Sequence, residues 1–230
     1  MTIYRQRISF FLHFIPTLLL MLAALSQPAL AAEDAGVILA LTGKVDVLRE
    51  DKTISATRMT TLNSGDTIIT ADGQAQIRFA DGTMLTLYQN TRFAVVDYHY
   101  GKGNGDRAKF SLLNGLMHTL TGQINKDSYQ IKTRLANLGV RGTEYSVLLN
   151  EKLQVSVDTG RVSIANDAGT LMVNAGGNAL VTGSNAMPQP TGGRIALPGG
   201  QGGHGGHGGP QGAALTLQGQ SCVARARIHS

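Results

Sequence analysis

The sequence predicts an all-β domain of many short strands, and three observations carry that reading. Apolar alternations of period two recur through residues 36–182. Gly, Asn and Asp punctuate them at short intervals, where positive φ is tolerated. No stretch holds an uninterrupted helical apolar face. Period two puts every second side chain on one face of a sheet. With no Trp and only six Phe and six Tyr, the core is expected to rest on Val, Ile and Leu. Roughly 150 ordered residues suffice for one modest core. The architecture expected is a compact solenoid-like unit, or a β-roll or sandwich.

Residues 1–31 read as a signal peptide. Arg5 and Arg7 form a basic start, 8–25 is apolar and Leu-rich, and Ala29-Leu30-Ala31 supplies the small residues of a cleavage site. Cleavage is placed after Ala31. Retained, the stretch is long enough to span a bilayer, so membrane contact is expected only if it stays uncleaved. No twin-arginine pair and no lipobox cysteine accompany it.

The β domain is placed at 32–183. Val45 and Val47, Ile77 and Phe79, Leu85 and Leu87, Val147 and Leu149, and Leu153, Val155 and Val157 each alternate with neighbours that are polar apart from Leu48 and Leu148. Val162 and Ile164 follow a turn at Thr159-Gly160-Arg161, and Leu171 and Val173 follow one at Asp167-Ala168-Gly169-Thr170. Asn114-Gly115 separates two apolar runs, which predicts a hairpin joining strands at 109–113 and 116–120. Thr70, Ala75, Ile77, Phe79 and Gly82-Thr83 are echoed by Thr133, Ala136, Leu138, Val140 and Gly142-Thr143. That is either a stacked repeat or a coincidence among β segments.

Residues 184–230 are rich in Gly and Pro and carry no acid. Such a segment buries too little apolar surface to offset its ordering entropy, and disorder is expected. The single cysteine, Cys222, excludes an internal disulfide. The net charge of +5 falls by two once Arg5 and Arg7 are removed. No concentrated basic run signals nucleic acid.

Candidate sites are few. Asp81-Gly82-Thr83 between apolar alternations reads as a tight hairpin turn. Gly65-Asp66 before Thr67-Ile68-Ile69-Thr70 reads as a turn into a strand, Asp66 accepting from nearby backbone amides. Gly139-Val140-Arg141-Gly142-Thr143 is the sharpest motif. Its glycines allow close backbone approach on either side of one Arg. The Arg141 fork suits a carboxylate, and Glu144, Asp158 or Asp66 is available to supply it. Arg141 is then either a tie between strands or a contact for an anion or peptide. The loop Gly101-Lys102-Gly103-Asn104-Gly105-Asp106 lacks the helix a phosphate site needs and reads as a hairpin loop. His99 and His118 lack partners at ligand spacing, and His204 and His207 form a short His/Gly tract without a closed shell. No metal, cofactor or catalytic constellation is expected.

Taken together, Gly43, Gly65, Asp66, Thr70, Phe79, Asp81, Gly82, Thr83, Thr133, Ala136, Gly139, Val140, Arg141, Gly142, Thr143, Gly160 and Val162 resemble the FecR domain, an all-β module of bacterial envelope proteins. The resemblance implies a solenoid-like domain in the periplasm or outside the cell, with these motif residues structural. Some members of that family sense ferric-siderophore receptors and control an extracytoplasmic sigma factor. Those carry a cytoplasmic domain before a membrane span. Here seven residues precede the apolar stretch, so a free-standing exported protein is expected. It would be a non-enzymatic binding or scaffold module that meets an envelope protein or glycan. The alternative is a membrane-anchored regulator.

Overall fold

The computed structural model describes residues 34–101, 105–124 and 128–198. Fifteen strands follow one another in these residues: β1 (Asp34–Thr42), β2 (Val45–Arg49), β3 (Lys52–Ser55), β4 (Thr61–Asn63), β5 (Thr67–Thr70), β6 (Gln74–Phe79), β7 (Met84–Leu87), β8 (Thr91–His99), β9 (Arg107–Leu120), β10 (Tyr129–Lys132), β11 (Asn137–Leu149), β12 (Leu153–Asn166), β13 (Gly169–Asn174), β14 (Asn178–Val181) and β15 (Gln189–Pro190). Among the described residues no helix is long and apolar enough to cross a membrane.

All fifteen strands join one continuous sheet, which three long strands fold into two layers. The first layer runs β3-β2-β5-β8-β9-β10-β11-β12-β13. The second runs β4-β1-β6-β7-β9-β11-β12-β14-β15. Strands β9, β11 and β12 belong to both, each leaving one layer and entering the other at a glycine. The β9–β10 pair is parallel and the rest are antiparallel.

The period-two pattern places the core between the layers. Ile77 and Phe79 of β6 and Val147 and Leu149 of β11 are buried from one side, and Phe93, Phe110, Ile131 and Val162 from the other. Phe79 lies against Tyr98 and Phe110 across the interior, with ring centroids 5.3 and 4.9 Å away. Buried aromatic pairs of this kind add about 1 kcal/mol beyond the area they bury. The β-branched and Leu residues expected from composition supply most of the rest.

The corners explain what local turn chemistry misassigned. Asn114-Gly115 is not a hairpin. The chain continues straight into the second layer as β9, with Gly115 at φ 101°. Thr91 holds this corner: its Oγ1 accepts from the Leu116 N–H at 3.0 Å and donates to the Leu116 carbonyl at 3.1 Å. A Cβ on Gly115 would run into Thr91. Likewise Thr159-Gly160-Arg161 does not separate two strands but bends one, β12, where Gly160 has φ 74°. Both glycines serve as bends in strands that switch layers.

The expected hairpin at Asp81-Gly82-Thr83 is present and joins β6 to β7, with Gly82 at φ 87°. The two echoing segments each end in a positive-φ glycine followed by a buried Thr, Gly82-Thr83 and Gly142-Thr143. The chain reverses after the first and continues as β11 after the second.

The packed region also runs past the expected boundary at Gly183. The compact unit ends at Ala196. Pro190 and Gln189 pair with Ala179 and Leu180, an edge position where Pro is tolerated. Ile195 is buried and its N–H donates to Ser156 Oγ at 3.0 Å. Composition alone hides this, because two ladder pairs and one apolar anchor are enough to dock a Gly/Pro-rich stretch. The remainder of the tail, with His204, His207 and Cys222, lies outside the described residues, as do residues 1–33.

A Cβ on Gly160 would collide with the Arg141 and Gly142 carbonyl oxygens. Gly160→Ala is expected to cost roughly 2–4 kcal/mol, strain and clash together. Gly82→Ala, where nothing lies within 4 Å, should cost only the left-handed backbone penalty of about 1 kcal/mol. Urea unfolding of the two variants beside the parent checks the ordering.

Candidate functional site

Gly65-Asp66 forms the expected turn, with Gly65 at φ 92°. Asp66 is buried and accepts from the Asn63 N–H at 2.8 Å. It also holds a partner that spacing does not reveal. The Arg49 guanidinium grips it in a fork, Nε to Oδ1 at 2.8 Å and NH2 to Oδ2 at 2.7 Å. That planar pair ties β2 to the turn before β5. Four residues on, Thr70 Oγ1 accepts from the Thr91 N–H at 2.9 Å and donates to the Tyr88 carbonyl at 2.5 Å, locking β5 onto the start of β8.

Asp81 is more than a turn residue. It is buried, and its carboxylate accepts from Tyr98 Oη at 2.9 Å, the Thr83 N–H at 3.1 Å and Thr83 Oγ1 at 2.7 Å. Its backbone N–H donates back to Tyr98 Oη at 2.9 Å. Thr83 Oγ1 in turn accepts from the Gly122 N–H at 2.8 Å. A buried phenol pair, Tyr145 to Tyr129, stands at 3.3 Å. Burial first, and then Asp81, pushes the Tyr98 phenol well above its ordinary value of 10.0. Burial does the same to Tyr129 and Tyr145. These groups are held neutral and hydrogen-bonded inside the fold, where they serve structure.

Gly139-Val140-Arg141-Gly142-Thr143 opens β11 and carries it round its corner. Gly142 has φ 58° and sits against Gly160 of β12. Thr143 is buried, its Oγ1 accepting from the Arg141 N–H and donating to the Arg161 carbonyl, both at 3.2 Å. Val140 is buried in the core. Gly142, Thr143 and Gly160 build the corner, as does Thr121, whose Oγ1 accepts from the Thr143 N–H at 2.8 Å.

Arg141 departs from the rest of its motif. It is exposed, and among the described residues no hydrogen bond or ion pair of its side chain ties strands together. The carboxylates expected for it are engaged elsewhere: Asp66 by Arg49, Asp158 by Arg194, and Glu144 by His118, with 3.3 Å between Oε1 and Nε2. Arg141 instead stands directly opposite Arg161 on the neighbouring strand. Like charges facing across a ladder are unfavourable, and among the described residues no acid is paired with either. Gly139, expected to allow close backbone approach, meets only Ser163 Cβ at 3.9 Å from where its own Cβ would be. It leaves open space above the sheet.

That space is a trough on the outer face of the first layer. Register aligns Lys109, Gln130, Gly139, Ser163 and Met172 in a row across five strands. A hollow of about 470 Å³ lies on one side of the row, bordered by Lys132, Asn137 and Ala165. Another of about 310 Å³ lies on the other side, bordered by Arg141 and Arg161. The two share Gln130, Gly139 and Ser163 as floor. Only Arg141 and Gly139 of this trough stood out in the sequence. Lys132, Arg161 and Gln130 join them through strand pairing.

A second constellation looks catalytic on paper. His118 Nδ1 is 3.0 Å from Ser146 Oγ, with Glu144 on the other ring nitrogen. Ser146 is only 2 % exposed, and its strand is paired on both sides, to β9 and to β12. Acyl transfer needs spare N–H donors aimed at an oxyanion, and here the ladders use them. The arrangement cross-links β9 and β11. Among the described residues no group of three or more His, Cys, Asp or Glu is placed to hold a metal ion.

Residues 66–163 match the FecR protein family. Two crystal structures of a candidate anti-sigma factor from Parabacteroides distasonis ATCC 8503 are similar to the chain, at 18% identity and a TM-score of 0.44 in each case. The match covers 54% of this chain and 57% of that one. No curated protein matches the sequence.

Asp81→Ala is expected to cost about 3 kcal/mol or more, because it strands buried donors of Tyr98 and Thr83. Thermal or urea unfolding checks this. The buried phenols also set an alkaline limit. In the unfolded chain they ionise near 10, so above that pH the unfolded state has lost protons that the folded state keeps. Their contribution is whole below pH 10 and declines as pH rises past it. Tyrosinate absorbance should therefore show Tyr98, Tyr129 and Tyr145 titrating only as the protein unfolds.

Proposed function

We propose that this chain, whose residues 66–163 form a FecR domain, is a non-enzymatic binding module of the bacterial envelope. It acts in the periplasm or outside the cell and holds an envelope partner on the outer face of its first layer. One observation carries the reading: Arg141 and Arg161 face each other across β11 and β12, exposed and, among the described residues, without an acid, beside an open trough. Stability does not favour that pairing, so binding is the role left for it. The rest of the motif builds the corner that presents the two side chains. The buried Ser146 and its fully paired strand support the non-enzymatic part.

A second reading rests on the family, whose members are envelope-associated: an anchored regulator that keeps its N-terminal apolar segment. The trough serves that role equally well. Sequencing the N-terminus of the native protein discriminates, since a start at Ala32 excludes the anchored form and an intact apolar segment in the membrane fraction supports it.

The full chain, immobilised and exposed to envelope extract, is expected to retain a partner that Arg141→Glu with Arg161→Glu loses, while Ile54→Lys on the exposed face of β3 retains it. Equal retention by all three forms would place binding elsewhere. Ser146→Ala should leave retention unchanged.

A further inference from the structure

Within the binding-module reading, on which it rests, the trough's own chemistry names a class of ligand. We infer that it takes a linear anionic glycan, a chain of sugars bearing carboxylate or phosphate groups, laid across the strands from Lys109 to Met172.

Charge comes first. Lys132 borders one side of the trough and Arg141 and Arg161 the other, and none of the three is paired with an acid among the described residues. Asp97 accounts only for Lys109, at 3.6 Å, and for Arg107. A ligand in the trough therefore meets cations on both flanks, and Arg forks suit carboxylate and phosphate oxygens. The chain's own segment past Asp167 carries no acidic side chain, so it offers these cations no side-chain charge complement.

Shape and polarity decide between a glycan and an acidic peptide. Five strands spaced at about 4.8 Å give the row a length of roughly 20 Å, enough for a few sugar units. The trough runs across the strands, and from β9 to β12 their N–H and C=O groups are committed to ladders on both sides, while β13 is paired to β12 alone. A peptide lying there would find no main-chain partners for its own amides, which is costly for groups taken out of water. A glycan has no such backbone. Its hydroxyls match the amides of Gln130 and Asn137 and the hydroxyl of Ser163, which line the floor and wall. Gly139 keeps the floor low enough for a ring to settle.

The test is titration of the full-length protein with polygalacturonate, with neutral dextran and poly-glutamate beside it. Polygalacturonate is expected to bind, with affinity falling as salt is raised, and to do so at least tenfold more tightly than poly-glutamate. Dextran should not bind. Arg141→Gln with Arg161→Gln should weaken binding at least tenfold. Gly139→Leu fills the floor without touching a charge and should weaken it comparably. Circular dichroism confirms the fold of each variant, and Gly139→Ala, which the space tolerates, should bind like the parent. Three results overturn the inference: no polygalacturonate binding, equal binding of poly-glutamate, or unchanged binding by Gly139→Leu. If any of them occurs while the trough variants still lose the envelope partner, the binding-module reading stands and only the ligand class falls. If the variants lose neither, both fall.

Discussion

The structure depends on strands that change layers without ending. β9, β11 and β12 each run through both layers, and each turns at a glycine with positive φ: Gly115, Gly142 and Gly160. Two of these corners meet, because Gly142 of β11 lies against Gly160 of β12 with no room for a side chain between them. The Thr hydroxyls at the bends then absorb backbone groups that the bent ladders release. Thr91 serves Leu116, Thr121 serves Thr143, and Thr143 bridges Arg141 and Arg161. Buried backbone groups must be paired, and here side chains finish what the ladder leaves. Lose the corner and the two layers no longer close over one core.

Closure has a consequence for the surface. Continuous strands keep the register of the first layer unbroken from β9 to β13, so the side chains facing outward line up in rows. The corner also fixes where Arg141 stands, since the residue before Gly142 is the last one paired with β12 ahead of the register shift, opposite Arg161. A stability element and the proposed binding element thus share five consecutive residues. Gly142 and Thr143 serve the corner, Val140 the core, and Gly139 and Arg141 the outer face.

The interior polar groups divide the work differently. Asp81 and Asp66 are both buried carboxylates, yet each is fully occupied, the first by Tyr98 and Thr83, the second by Arg49 and the Asn63 amide. Each fastens a turn to a distant strand. Such networks favour one arrangement of the chain when every member is satisfied. The His118, Ser146 and Glu144 side chains are of the same kind, a link between neighbouring strands. Reactive residue types close together do not make an active site unless a reacting atom has access and an electrostatic destination.

How much of this was legible beforehand follows from the range of the forces involved. The all-β class, the inward-facing residues of β6 and β11, and the hairpin at Asp81-Gly82-Thr83 were determined by the sequence itself, because period-two burial and turn geometry act over a few residues. The resemblance carried by the motif glycines pointed to the same family that the comparison found over residues 66–163. Asn114-Gly115 and Gly160 misled, because the same local geometry serves a hairpin and a corner, and only a neighbour such as Thr91 decides between them. The docked stretch around Ile195, the Arg49–Asp66 fork and the trough belong to tertiary structure alone. Lys132, Arg141 and Arg161 are separated by up to 29 positions along the chain, and strand pairing makes them neighbours. Sequence set which residues face outward; only the fold decided which of them stand together.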